Sequence, residues 1–114
     1  MRKRYEKGDV CLINLAIGEG REQFGERPAI IISNTKTDII VIIPLTTNLN
    51  ALKFPYTIAI IPNRQNNLNQ ESVALVFHIR AIDKSRVLKK MGKISKELQK
   101  KIDNILKEML DLEI

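Results

Sequence analysis

Two β-branched apolar runs joined by a short polar turn constrain this chain more than any other feature. Pro28 opens Ala-Ile-Ile-Ile-Ser-Asn over residues 29–34, residues 34–38 carry turn chemistry, and Ile-Ile-Val-Ile-Ile-Pro-Leu fills residues 39–45. Both runs are short and rich in isoleucine and valine, so they are predicted to pair as a β-hairpin whose strands are buried on both faces. Pro44 lacks a backbone donor, which a strand tolerates at an edge, a bulge or a terminus, and it predicts a bend there.

Similar reasoning places a strand over residues 9–15, bounded upstream by Gly8, and a long, mobile loop over residues 16–27, with glycines at 18, 20 and 25. Strands are predicted at 56–61 and 72–78 on either side of an amide-rich stretch, 62–70. One or two more carry Arg80, Ile82, Val87, Leu88 and Met91 around an Asp83-Lys84 turn. The period then changes. Leu98, Ile102, Ile105, Leu106, Met109 and Leu110 recur at spacings of three and four behind Ser95, a good N-cap, so a C-terminal helix is predicted. Its apolar stripe must cover the strands or a second subunit, with Lys96, Lys100, Asp103, Lys107 and Glu108 outside. The expected fold is mainly β (α+β): one domain over residues 1–114, a compact antiparallel β-barrel with a C-terminal α-helix.

The formal net charge is +6, and residues 80–101 hold nine lysines and arginines against Asp83 and Glu97. One face should be electropositive, which suits either a polyanionic partner or simple solubility. The aromatics Tyr5, Phe24, Phe54, Tyr56 and Phe77 are scattered in sequence, which disfavours a binder driven by stacking. Cys11 is the single cysteine, so neither a disulfide framework nor a thiolate metal site is expected, and a reducing, cytoplasmic setting fits. No run approaches the roughly 20 apolar residues of a membrane span, and the basic start, Arg2-Lys3-Arg4, leads into polar residues, so no targeting segment is expected.

Most familiar catalytic signatures are missing. The chain has one histidine, His78, no Gly-x-Ser-x-Gly elbow, no phosphate-cradling glycine loop and no carboxylate spacing suited to two metals, so no metal or cofactor is expected. RNA cleavage needs none of these, because the substrate's 2′-hydroxyl can attack the neighbouring phosphorus while the protein moves protons and stabilises charge. Glu26-Arg27-Pro28 stands just before a strand and Leu45-Thr46-Thr47-Asn48 just after one. A guanidinium fork and a hydroxyl at neighbouring strand ends could grip a phosphodiester. The plainer alternatives are an ion pair of Arg27 with Glu26 or Glu22, and threonines serving only as β-formers.

The ordered segments Gly8-Asp9-Val10, Glu22-Gln23, Glu26-Arg27-Pro28-Ala29-Ile30-Ile31-Ile32-Ser33, Ile43-Pro44-Leu45-Thr46-Thr47, Ser72-Val73 and Ile79-Arg80-Ala81-Ile82-Asp83-Lys84-Ser85-Arg86 span almost the whole chain. Together they resemble the MazF/PemK toxins of type II toxin–antitoxin systems. That resemblance implies an SH3-like, CcdB-like barrel acting as a homodimer under a MazE-like antitoxin. It implies an mRNA interferase that cleaves single-stranded RNA without ribosome or metal, leaving a 2′,3′-cyclic phosphate and a 5′-hydroxyl. Arg27 and Thr46 match the catalytic arginine and threonine, and Glu22 and Gln23 fall in the active-site loop. Thr47 and Asn48 are candidates to position phosphate or read a base, Phe24 to stack on a base or cover the barrel, and Ser72 and Arg80 to contact RNA. Neither Arg27 nor Thr46 is a convincing base, so Glu22 and His78 are the candidates for that proton. His78 replaces the glutamine usual in these toxins, and the resemblance therefore implies no cleavage sequence. The alternative function is non-catalytic: a CcdB-like toxin, or a nucleic-acid-binding barrel, acting by binding its target.

Overall fold

The computed structural model describes residues 5–15 and 25–113. Among these, seven strands precede one helix: β1 (Asp9–Asn14), β2 (Glu26–Asn34), β3 (Ile39–Thr46), β4 (Thr57–Ile60), β5 (Ser72–Leu75), β6 (Arg80–Asp83), β7 (Val87–Lys93) and α1 (Lys96–Met109). All strand pairs are antiparallel. The sheet runs β4-β5-β3-β2-β1-β7, with β6 beside β3.

The central strands are continuously apolar because each of their faces has a core against it. Successive side chains alternate across a strand. On one side Val10, Ile30, Ile43 and Leu45 pack with Ile102 and Leu106 of α1. On the other, Cys11, Ile13, Ala29, Ile31, Ile40 and Ile42 pack with Tyr5, Leu15 and Ile82. The predicted hairpin is thus present and doubly buried. β2 starts earlier than its apolar run, because Glu26 and Arg27 pair with Asn14 and Ile13 of β1. Those two residues therefore belong to a strand, not to the predicted loop.

Helix α1 covers the sheet of its own chain. Ser95 Oγ accepts the Leu98 N–H at 3.1 Å and caps the helix, and Glu97 and Lys107 sit at the ends that their charges favour. Leu110 falls just beyond the last turn and is 52% exposed, so the predicted stripe ends at Met109. At the other side of this contact, a Cβ on Gly8 would lie 2.3 Å from Gln99 Nε2, and Gly8 also has a φ of +95°. Glycine lets the chain turn and the helix dock at the same point.

Among the described residues the strand ladder does not close into a full barrel, since β4 and β7 end it without pairing with each other. The amide-rich loop fills the opening instead. Buried Asn66 organises it, accepting the N–H groups of Asn63 and Leu68 at 3.1 and 3.0 Å and donating to the Ile61 carbonyl at 3.0 Å. The loop then bonds to β7, where the Lys93 N–H donates to the Gln65 carbonyl at 2.9 Å and Asn67 Nδ2 donates to the Met91 carbonyl at 2.6 Å. A Cβ on Gly92 would come within 2.3 Å of the Gln65 oxygen, so a side chain there is incompatible with this contact.

Some of the basic charge between residues 80 and 101 is engaged inside the fold. Asp9, fully buried, accepts the Glu6 N–H at 2.9 Å and lies 3.3 Å from Lys90 Nζ and 4.0 Å from Lys93 Nζ. Lys93 also bonds Glu6 at 3.0 Å, which lowers the Glu6 carboxyl and raises the Lys93 amine. Two lysines expected on an electropositive surface therefore help to neutralise a buried carboxylate.

Candidate functional site

The site forms where one neighbour of β3 changes register. Ile42 pairs with Arg80 of β6, whereas Leu45 pairs with Ala74 of β5. Three steps along β3 thus correspond to six along the adjoining segment, and the excess is looped out as a 3₁₀ turn, Val76–His78. This break lies opposite Ile43 and Pro44, where β3 has one backbone donor fewer to offer. The run predicted as one strand over 72–78 therefore ends at Leu75, and Phe77 and His78 are carried outward.

A pocket of about 320 Å³ opens beside this turn, lined by Thr46, Asn48, Asn50, Ala51, Phe54, Leu75, Phe77 and His78. Thr46, the last residue of β3, is only 8% exposed. Its Oγ1 accepts the Asn48 N–H at 3.2 Å, which leaves the hydroxyl proton to be donated elsewhere. Asn48 in turn caps the 3₁₀ turn Leu49–Lys53, its Oδ1 accepting the Asn50 N–H at 3.1 Å. Thr47 is exposed between them.

Three rings gather here despite their distance in sequence. The Phe77 and His78 rings meet edge to face with centroids 4.4 Å apart, and Phe54 stands 6.1 Å from Phe77 in a similar arrangement. Tyr56, at a φ of +59°, turns the chain so that its own ring packs on the core, while Phe54 stays 51% exposed. A left-handed aromatic residue is costly, and the turn Phe54-Pro55-Tyr56 stores that strain next to the pocket.

Arg27 is half-buried in β2, across from Ile13 of β1. Between β2 and β3 the paired register ends at Ala29↔Pro44, two residues before Thr46 on β3 and two after Arg27 on β2, so the two strand-end motifs lie at the same end of adjacent strands, although Arg27 is not among the residues lining the pocket. Ser72 and Arg80 are not brought to the pocket lining: Ser72 is buried with its hydroxyl donating to the Gln70 carbonyl at 3.0 Å, and Arg80 opens β6. Glu22, Gln23 and Phe24 lie outside the described residues.

Thr46, Asn48 and His78, all candidates from the sequence, share one cavity with Asn50, Phe54 and Phe77, which the sequence does not mark as their partners. No spacing signals them, because 23 positions separate the two phenylalanines and only the register change joins them. Among the described residues no group of three or more His, Cys, Asp or Glu side chains could hold a metal ion. No helix among them is long and apolar enough to cross a membrane.

Residues 6–110 match the family described as PemK-like, MazF-like toxin of type II toxin–antitoxin system. The chain is 33% identical over 110 residues to the Endoribonuclease MazF of Staphylococcus epidermidis, a match covering 93% of this chain and 91% of that protein. Its fold is similar to MazF from Deinococcus radiodurans, with a TM-score of 0.81 at 22% identity over 97% of this chain and 100% of the other. It is also similar to an endoribonuclease in complex with its cognate antitoxin from Mycobacterial species, with a TM-score of 0.73 at 21% identity over 97% and 99% of the two chains. A match over this much of the chain places it in a family whose fold and motif order it shares: the protein belongs to the PemK-like, MazF-like toxins of type II toxin–antitoxin systems, the family of the endoribonuclease MazF.

Proposed function

We propose that this chain cleaves single-stranded mRNA, without ribosome or metal, at the junction of Arg27 and the Thr46 pocket. The substrate's O2′ attacks the adjacent phosphorus, the P–O5′ bond breaks, and the products are a 2′,3′-cyclic phosphate and a 5′-hydroxyl. The Arg27 guanidinium offers a fork for the non-bridging oxygens, whose negative charge grows as the fifth bond forms. The Thr46 hydroxyl, with its oxygen already accepting the Asn48 N–H, donates its proton to the same phosphate. One base must take the 2′ proton, and an acid must protonate the leaving O5′. His78, lining the pocket with Thr46, and Glu22, preceding β2, are the candidates for the first task. Arg27 is suited to the second.

The observation that carries this reading is the β2–β3 register, which supports an arginine and a threonine acting together on one phosphate. The same reading makes the chain a cytoplasmic homodimer that contacts RNA also through Gln23, Phe24, Thr47, Asn48 and Arg80, while Ser72, buried with its hydroxyl on the Gln70 carbonyl, supports β5 instead. A MazE-like antitoxin holds it in check, in line with the MazE–MazF assembly known from Deinococcus radiodurans. The purified protein is expected to cut a long single-stranded RNA in EDTA, and Arg27→Ala to abolish cutting while circular dichroism stays unchanged. Growth inhibition that survives in Arg27→Ala would favour the non-catalytic alternative, in which the exposed Leu49, Leu52 and Phe54 bind a target.

A further inference from the structure

We infer that the pocket beside Thr46 holds one base of the RNA, stacked on Phe77, and that Asn48 selects a base with a carbonyl at the 4 or 6 position. The inference rests on the reading of the chain as an RNA nuclease, and it adds a base preference to it. The pocket adjoins the proposed phosphate site directly, since Thr46 lines both, so a nucleotide bound through its phosphate would bring a base to this cavity. Its walls are those of a base site. Phe77 is 36% exposed and braced edge-on by both Phe54 and His78, which holds its ring in place before any ligand arrives.

The polar contribution has a fixed sense. An asparagine amide usually offers either a donor or an acceptor by flipping, but Asn48 cannot flip without losing its bond to the Asn50 N–H, a donor that only Oδ1 can satisfy. With the amide held this way round, Asn48 presents its Nδ2 amino group as a donor in a fixed position, and Oδ1 keeps one lone pair beside the N–H it already caps. A donor matches the O4 of uracil or the O6 of guanine and opposes the amino groups of cytosine and adenine, which also donate. Uracil and cytosine have the same size and differ on this edge by that exchange, so the pair isolates the effect.

Binding of 2′-O-methyl oligouridine and oligocytidine, measured by fluorescence anisotropy, tests this without depending on cleavage, because neither oligomer has a free 2′-hydroxyl. The wild-type chain is expected to bind oligouridine at least about fivefold more tightly than oligocytidine. Phe77→Ala is expected to weaken both by about tenfold. Asn48→Asp, whose carboxylate can keep the Asn50 cap while presenting an acceptor, is expected to reverse the uridine-to-cytidine ratio. Equal binding of the two oligomers by wild type, or an unchanged ratio in Asn48→Asp, overturns the inference even if the protein cuts RNA. Affinity for both oligomers that is unaffected by Phe77→Ala does the same, and points to a protein side chain as the occupant. A uridine preference that Asn48→Asp reverses, in a protein that cuts no RNA, upholds the base pocket and removes only the nuclease reading.

Discussion

The two halves of one edge of β3 pair with successive strands of the chain, β6 and β5, and have opposite uses. Along Ile39–Ile42 the pairing with β6 is continuous, and Ile40 and Ile42 are fully buried. At Leu45 and Thr46 the neighbour is β5, displaced by the looped-out turn that carries Phe77 and His78. The first half is a sealed wall with its polar groups paired by the ladder. The second ends in a hydroxyl, a capped amide and a ring cluster around open space. A site of this kind arises where a regular ladder is interrupted between two paired segments, so residues that come from turns are anchored by strands on both sides.

If that contrast is right, substitutions in the two halves should separate activity from stability. Thr46→Val keeps shape and removes the hydroxyl, and should lower the cleavage rate by about 100-fold or more with a stability loss of about 1 kcal/mol, read from RNA turnover and thermal melting. A variant that still cuts at nearly the wild-type rate would leave Thr46 no chemical role. Ile42→Ala, on the sealed half, should do the reverse: a loss of about 2–5 kcal/mol in urea denaturation, with cleavage per folded molecule retained.

Smaller effects probe the supports of each half. Gly92→Ala forces a Cβ toward the Gln65 carbonyl at the opening between β4 and β7, and should cost about 1–3 kcal/mol in the same denaturation assay. Cys11, on the sealed side, gives a signal confined to alkaline pH. Burial pushes its thiol from an ordinary 9.0 up to about 11, helped by the nearby Asp9 carboxylate. The folded chain therefore keeps a proton that the unfolded chain releases, and stability should fall as pH rises from about 9 to about 11. Cys11→Ala should flatten that decline, and an equal slope in both proteins would contradict the assignment.

Local pattern was enough for the elements built from uninterrupted runs. The β2–β3 hairpin follows from its isoleucines, and α1 from Ser95 and the stripe ending at Met109. Motif order marks Arg27 and Thr46 in the sequence as the candidates for phosphate chemistry, and Thr46 lines the pocket. What sequence could not show depends on contacts between distant segments. The turn at Val76–His78 reads as strand because Val76 and Phe77 are good β-formers, and only the two registers on β3 force it out of the ladder. Asp9 reads as the edge of an apolar run, yet it is buried because Lys90 and Lys93 reach it from β7. Likewise Asn66 looks like loop filler, although its side chain holds together the segment that covers the opening in the sheet.

The most direct test of the central claim is the chemistry of the new RNA ends. Fragments of a defined single-stranded RNA, cut in EDTA and examined by mass spectrometry, should carry a 2′,3′-cyclic phosphate on one side and a 5′-hydroxyl on the other, and should be absent with Arg27→Ala. Ends bearing a 3′-hydroxyl and a 5′-phosphate, or cutting that appears only on adding a divalent metal, would contradict attack by the 2′-hydroxyl at an Arg27–Thr46 site.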